Sequence, residues 1–170
     1  MPDVVITNTS PIFYLHRLGL LWVLEKLYKK IVVPQAVILE LEEGKLQGED
    51  IPNLAEYPWI LTQQVKSAQH LKLVADLGPG ESEVLALALQ NPNSLVILDE
   101  KIARSIAELA GLNFTGTIGV ILKAKNQGYI SSVTEVIEQL FSIGFRISDK
   151  MKEHILILSG ESPSCAYLNR

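Results

Sequence analysis

The residues of this chain that could do chemistry together stand just after short apolar runs or near the ends of helical ones. Asn8, Thr9 and Ser10 follow Val4-Val5-Ile6, and Asp99 with Glu100 follow Leu95-Val96-Ile97-Leu98. Glu40 and Glu81 lie in helical stretches whose ends could face the same edge. Carboxylates brought to one place repel one another unless a cation sits between them. Oxygen ligands of this kind suit Mg2+ or Mn2+. Such ions activate water and neutralise the charge that develops on a phosphodiester.

Each of these residues also has a purely structural reading. Asp99, between a strand and a helix, has the position of an N-cap. Asn8-Thr9-Ser10-Pro11 is a helix-start signal, with Ser10 as the cap and Pro11 at the first helical position. Glu40, in ILELEEG, reads equally as one of several solvated acids near a helix end, although the dipole there disfavours an acid. Glu81 after Gly-Pro-Gly is a first-turn acid that the dipole favours, and Glu83 is a flanking acid. Thr117, in GTIG, either caps a helix or touches the site edge. Lys101 and Arg104 could meet phosphate or form a solvated face, and the same two readings hold for Lys123, Lys125 and Arg146. Trp22 and Trp59 read as core or interface anchors, and the histidines His16, His70 and His154 receive no role.

The elements that would position these groups alternate. Strands are expected at 4–6, 31–33, 59–65, 95–98 and 114–115. Helices are expected from Ser10 to Leu18, Leu20 to Leu27, Pro34 to Gly44, Glu81 to Leu89, Ile102 to Ala110, Thr117 to Lys125, Val133 to Ser142 and Asp149 to Leu158. Residues 44–58 read as a polar loop or a short irregular helix, and Gly111 closes the helix that ends at Ala110. Strands separated by helices of this length imply βαβ units and a parallel sheet. In open parallel sheets functional groups collect beyond the carboxyl ends of the strands, where Asn8 and Asp99 fall.

Composition sets the bounds. At 170 residues, 48% hydrophobic and 20% charged, the chain is a globular domain. No apolar run approaches the ~20 residues needed to cross a bilayer. The N-terminus lacks the pattern of a signal peptide. A single cysteine, Cys165, fits a reducing compartment. The net charge of -4 argues against a phosphate-gripping surface over the whole molecule, so a nucleic acid would need a local basic patch and a metal. No GxGxxG or GxxxxGK[ST] loop supports a small-ligand nucleotide domain.

The order of features resembles the PIN domain. Its slots are filled by ITNTSPIFYL (Asn8, Ser10), VPQAVILELEEG (Glu40), GPGESEVLALALQ (Glu81, Glu83) and LVILDEKIARSIAELAGL (Asp99, Glu100). GTIGVILKAKNQGYI and the helix pair ending in GFRIS look like a prokaryotic branch of that family. The resemblance spans roughly residues 3–158. It implies a PIN-like α/β/α sandwich with a central parallel sheet, one domain over 1–158 and a flexible tail over 159–170. It further implies a cytoplasmic, metal-dependent ribonuclease with Glu40, Glu81 and Asp99 as catalytic residues. Those three with Asn8 would hold Mg2+ or Mn2+, supported by Ser10, Glu83, Glu100 and Thr117, while Lys101 and Arg104 would contact RNA. Relatives of this type are often the toxin half of a toxin–antitoxin pair and form homodimers, so an antitoxin protein and a second copy are the implied partners. One residue departs from the pattern: Asn8 stands where the family has aspartate. An amide oxygen can still coordinate a hard cation but carries no charge. The alternative implied by Asn8 is a catalytically weakened or silent module that binds protein or RNA.

Overall fold

Short runs of β-branched residues build the sheet, and one largely buried helix covers it. The computed structural model describes residues 2–65 and 77–161. The strands are β1 (Val4–Thr7), β2 (Ile31–Pro34), β3 (Ile60–Gln63), β4 (Ser94–Ile97) and β5 (Asn113–Thr115). They form one sheet in the order β3-β2-β1-β4-β5, with every neighbouring pair parallel. The chain therefore winds outward from β1 through β2 to β3, then returns to the other side of β1 for β4 and β5. That reversal makes a topological switch point between β1 and β4.

The helices among the described residues are α1 (Thr9–Arg17), α2 (Trp22–Tyr28), α3 (Gln35–Leu46), α4 (Pro79–Leu89), α5 (Lys101–Leu109), α6 (Thr117–Asn126), α7 (Val133–Ser142) and α8 (Asp149–Leu158). The fold is an α/β sandwich on an all-parallel sheet, as the alternating pattern implies. None of these helices is long and apolar enough to cross a membrane.

Two compact units divide the chain, Met1–Thr117 and Ile118–Arg170. In the first, α4 buries Val84, Leu85, Leu87 and Ala88 completely and packs on β1, β2, β4, α3 and α5. A helix whose central residues are apolar on all sides has little face left for water, and its acids, Glu81 and Glu83, are confined to its first turns. The sheet contributes Ile6, Ile31, Val33, Val96, Ile97 and Leu98 to the same core. On α5 only Ala103 and Ala107 are buried, because small side chains let that helix lie close to the sheet. Trp59 is buried and meets the Tyr57 ring edge-on, as an anchor of the core. Trp22 lies 39% exposed at the start of α2.

Several boundaries differ from the sequence expectation. The first helix begins at Thr9 with Asn8 at its N-cap position, not at Ser10. Pro11 does not mark the first helical position, because any of the first few amides of a helix lacks an internal partner and proline is tolerated throughout that turn. The third helix runs through Gly44 to Leu46, since one glycine in a helix costs only about 1 kcal/mol and does not by itself end it. Within 44–58 a short 3-10 turn forms at Leu54–Glu56, in keeping with the short irregular helix expected there as one of two readings. Gly111, with φ of +67°, closes α5 by the left-handed turn that glycine adopts without strain.

In the second unit Glu161, just after α8, is tied to the start of α7. Its carboxylate accepts from the Val133 and Thr134 amides at 2.8 Å each and from Thr134 Oγ1, and pairs with Lys125 Nζ at 2.8 Å. Partial burial alone would raise its pKa, but Lys125 and these donors hold it well below the carboxylate range. Lys125 is thus committed to Glu161. Of the tail expected over 159–170, residues from 162 on, with Cys165, lie outside the described residues, as does His70.

Replacing Glu161 by alanine should lower stability by about 1–2 kcal/mol, the worth of a helix cap with charged hydrogen bonds, read from the urea midpoint at pH 7. Because the folded pKa of Glu161 is depressed, its contribution is complete above the ordinary carboxylate range and is lost as pH falls through and below it. Wild type and variant should therefore converge in acid.

Candidate active site at the ends of the central strands

The switch point places Asn8 and Asp99 side by side. Thr7 is in register with Ile97, and the Asn8 amide donates to the Ile97 carbonyl at 3.1 Å. Asn8 is fully buried. It occupies the N-cap position of α1, yet its side chain makes no cap hydrogen bond. Instead Nδ2 donates to Glu81 Oε1 on α4 at 2.8 Å. Chemistry fixes that orientation, since turning the amide over would set two acceptor oxygens against each other. The other end of the amide, Oδ1, is buried with no hydrogen-bond partner.

Glu40 comes to the same place from α3. It sits in the middle of that helix, and its side chain serves the start of a different one. The Gly80 amide, in the first turn of α4, donates to Oε1 at 2.7 Å, and Thr9 Oγ1 donates to Oε2. Glu83 on α4 does the reverse, accepting from the Ala36 amide in the first turn of α3 at 2.8 Å. The two helices thus satisfy each other's unpaired N-terminal amides with carboxylates, which the helix dipoles favour. The exchange also needs glycine at position 80. A Cβ there would stand 2.5 Å from Glu40 Oε2 and 2.9 Å from Asn8 Oδ1. Glu40, Asn8 and the α4 backbone therefore meet around one point.

Asp99 does not cap the helix that follows it; Glu100 takes the N-cap position of α5, without a side-chain cap bond. The Asp99 carboxylate reaches the start of α6, accepting from the Thr117 amide at 2.8 Å and from Thr117 Oγ1 at 2.6 Å. Burial raises its pKa, against the opposing pull of these two donors and of Arg104. Thr117 is itself fully buried, and a side chain on Gly116 would meet Asp99 Oδ1 at 2.8 Å. Arg104, exposed on α5, lies over the Phe114 ring at 5.3 Å, and Lys101 is exposed one turn earlier. Ser10 is half-buried in the first turn of α1.

The contacts join Asn8, Glu40 and Glu81, with Asp99 on the neighbouring strand end. They bring in Thr9, which the sequence places beside Asn8 after the first strand, and add Gly80, which it did not single out. A glycine in the first turn of an otherwise apolar helix was the available signal for the second. Among the described residues no three of Asp, Glu, His and Cys stand close enough to hold a metal ion. A cation would therefore need the amide oxygen of Asn8 beside Glu40 and Glu81. These donors fit a hard ion, because all are oxygens and Asn8 Oδ1 is buried and unclaimed.

A family model described as a PIN domain matches residues 4–161. No curated protein matches the chain.

Gly80→Ala should destabilise the protein by about 1–3 kcal/mol, as overpacking does, and Glu83→Ala by about 1–3 kcal/mol for the amide left unpaired on α3, both read by urea unfolding. The raised pKa of Asp99 has the opposite sign to that of Glu161. Its ionisation opposes folding, so its penalty appears as pH rises above the ordinary aspartate range and through the folded pKa. In EDTA, the stability of Asp99→Asn relative to wild type should accordingly increase between acid and neutral pH.

Proposed function

The chain belongs to the PIN-domain family, a nuclease-like fold, and from that premise we propose that it is a metal-dependent ribonuclease working at the β1–β4 switch point. The observation that carries this reading is the buried, unpartnered Asn8 Oδ1, set with the Glu40 carboxylate around Gly80. Asn8, Glu40 and Glu81 would hold Mg2+ or Mn2+, with Asp99 beside them. When bound, the ion supplies activation of water and neutralisation of charge on the phosphodiester. Glu40 and Glu81 are kept in position by Gly80, Thr9 and Asn8, so the donors need little rearrangement. Asp99, oriented by Thr117 and raised in pKa by burial, would take a proton at its carboxylate as water attacks. Arg104 would meet a phosphate flanking the cut, and Lys101 would contact the RNA beside it. Within the same proposal the protein is a cytoplasmic homodimer and the toxin of a toxin–antitoxin pair, silenced by an antitoxin side chain placed among the carboxylates.

A second reading, a silent module that binds protein or RNA, draws on the hydrogen bond from Asn8 Nδ2 to Glu81. That bond satisfies the acid without any cation.

Calorimetric titration with Mn2+ separates the two. The nuclease reading expects saturable binding that weakens at least about tenfold in Glu40→Gln, together with cleavage of single-stranded RNA that Asp99→Asn abolishes. No binding, or equal cleavage by wild type and Asp99→Asn, would overturn it. Asn8→Asp makes a sharper case. It sets a carboxylate against Glu81, so the variant should melt lower than wild type in EDTA. Added Mn2+ should then raise its melting temperature more steeply than that of wild type, by linkage to tighter binding.

A further inference from the structure

Glu81 faces two ways. One carboxylate oxygen is held by Asn8 Nδ2. The residue also lines a cleft with Leu77 and with the first turn of α5, namely Glu100, Lys101, Ile102 and Ala103. The cleft has a volume of ≈ 380 Å³, near the lower end of the ~300–1,000 Å³ typical of ligand pockets. That is room for one nucleotide and not for a folded segment. Its apolar surface is small and suits the faces of a flat ring: Leu77, the half-exposed Ile102, and Ala103 buried beneath them. Its polar groups are an adjacent acid and base, Glu100 and Lys101, both exposed. Neither side chain makes a hydrogen bond or ion pair among those described, and Glu100, although at the N-cap position, does not cap α5.

We infer that this cleft is a subsite for a guanine base of the RNA, next to the scissile position. The inference rests on the ribonuclease reading for its biological meaning, but its chemistry is separate. Guanine presents in a row an acceptor, O6, and two donors, N1–H and N2–H2. A carboxylate beside an ammonium is the complement of that row: Glu100 accepts from N1 and N2 with its two oxygens while Lys101 donates to O6. The other bases fail this match. Adenine and cytosine place an acceptor beside their single amino donor, and uracil flanks its one donor with two acceptors. Each would set an unpaired acceptor against the Glu100 carboxylate, which is unfavourable once water is excluded. Glu81 then joins the base subsite to the group around Gly80, so a base seated in the cleft brings its own phosphate toward Asn8 and Glu40.

The test uses the full chain in EDTA, so that no cation is involved, and follows methyl signals by NMR during titration with 5'-GMP, 5'-IMP and 5'-AMP. The three share the same phosphate, so differences report the base alone. GMP should move the Ile102 and Ala103 methyl signals and bind roughly tenfold more tightly than AMP, the discrimination of one bidentate base contact. IMP, which lacks the N2 amino group, should fall between them. Glu100→Gln should weaken GMP and strengthen AMP, because the glutamine amide can accept from N6 and donate to N1 of adenine, so that the preference for GMP is lost. Equal affinity for GMP and AMP in wild type would overturn the assignment, as would GMP binding that leaves Ile102 and Ala103 unmoved. The IMP series needs no mutation and decides the matter even where the variant is unstable. Selective GMP binding by a protein that cleaves no RNA with Mn2+ would sink the ribonuclease reading alone. Cleavage with Mn2+ but no preference for GMP would sink the subsite alone.

Discussion

Acids gathered at the ends of parallel strands must each be answered by a donor, because an unpaired buried carboxylate is far more costly than any single contact it could make. This chain meets that constraint with its own backbone and with neutral side chains. Glu81 accepts from the Asn8 amide, Glu40 from the Gly80 amide and the Thr9 hydroxyl, Glu83 from the Ala36 amide, and Asp99 from both donors of Thr117. Most of these donors belong to the first turn of a helix, where amides have no partner of their own. The site and the helix starts are therefore one arrangement: removing an acid uncaps a helix, and moving a helix releases an acid.

The exchange between α3 and α4 shows how this fixes geometry. Each helix lends a carboxylate to the other's N-terminus, so the two cannot slide without breaking both bonds. α4 is also locked from below by its buried apolar residues, Val84, Leu85, Leu87 and Ala88, packed on the sheet. Glu40 and Glu81 consequently hold their places before any ligand arrives, the kind of preorganisation that binding and catalysis exploit. Burial raises the pKa of Asp99 against the pull of its donors, so it gives up its proton less readily than an ordinary aspartate.

Much of this was legible in the sequence because it is local. The run Leu95–Leu98 ending at Asp99, the apolar density of α4 and the bounds of α7 and α8 follow from propensity and periodicity. The parallel sheet follows from the alternation of strands and helices, and with it the edge at which Asn8 and Asp99 stand. What could not be read is which partner wins when a residue has two. Ser10 has the local marks of the cap, but Asn8 takes that position and its side chain bonds a residue 73 positions away. Asp99 looks like the cap of α5, yet it serves Thr117, 18 positions on. Glu40 seemed to oppose the dipole of its own helix, and the structure turns it to the favourable end of another. A cap bond is worth about 1 kcal/mol, so a charged partner supplied by the fold overrides it. Spacing along the chain cannot announce that partner.

Position 8 brings these terms to one atom pair. With aspartate there, two carboxylate oxygens would face each other at the separation now spanned by a 2.8 Å hydrogen bond. At an effective dielectric near 20 that repulsion is on the order of 6 kcal/mol, against about 1.5–3 kcal/mol gained by the amide's bond to a charged group. An acid at this point therefore makes the fold depend on a cation, whereas the amide removes the dependence. The amide keeps one oxygen aimed at Glu40 and spends its nitrogen on Glu81. A cation entering here must draw on Glu81 in competition with Asn8 Nδ2, and it meets one negative charge fewer. Asn8 thus exchanges affinity for metal against stability without it, and the balance between those two quantities decides whether this site works as a nuclease centre or stands as a satisfied hydrogen-bond network.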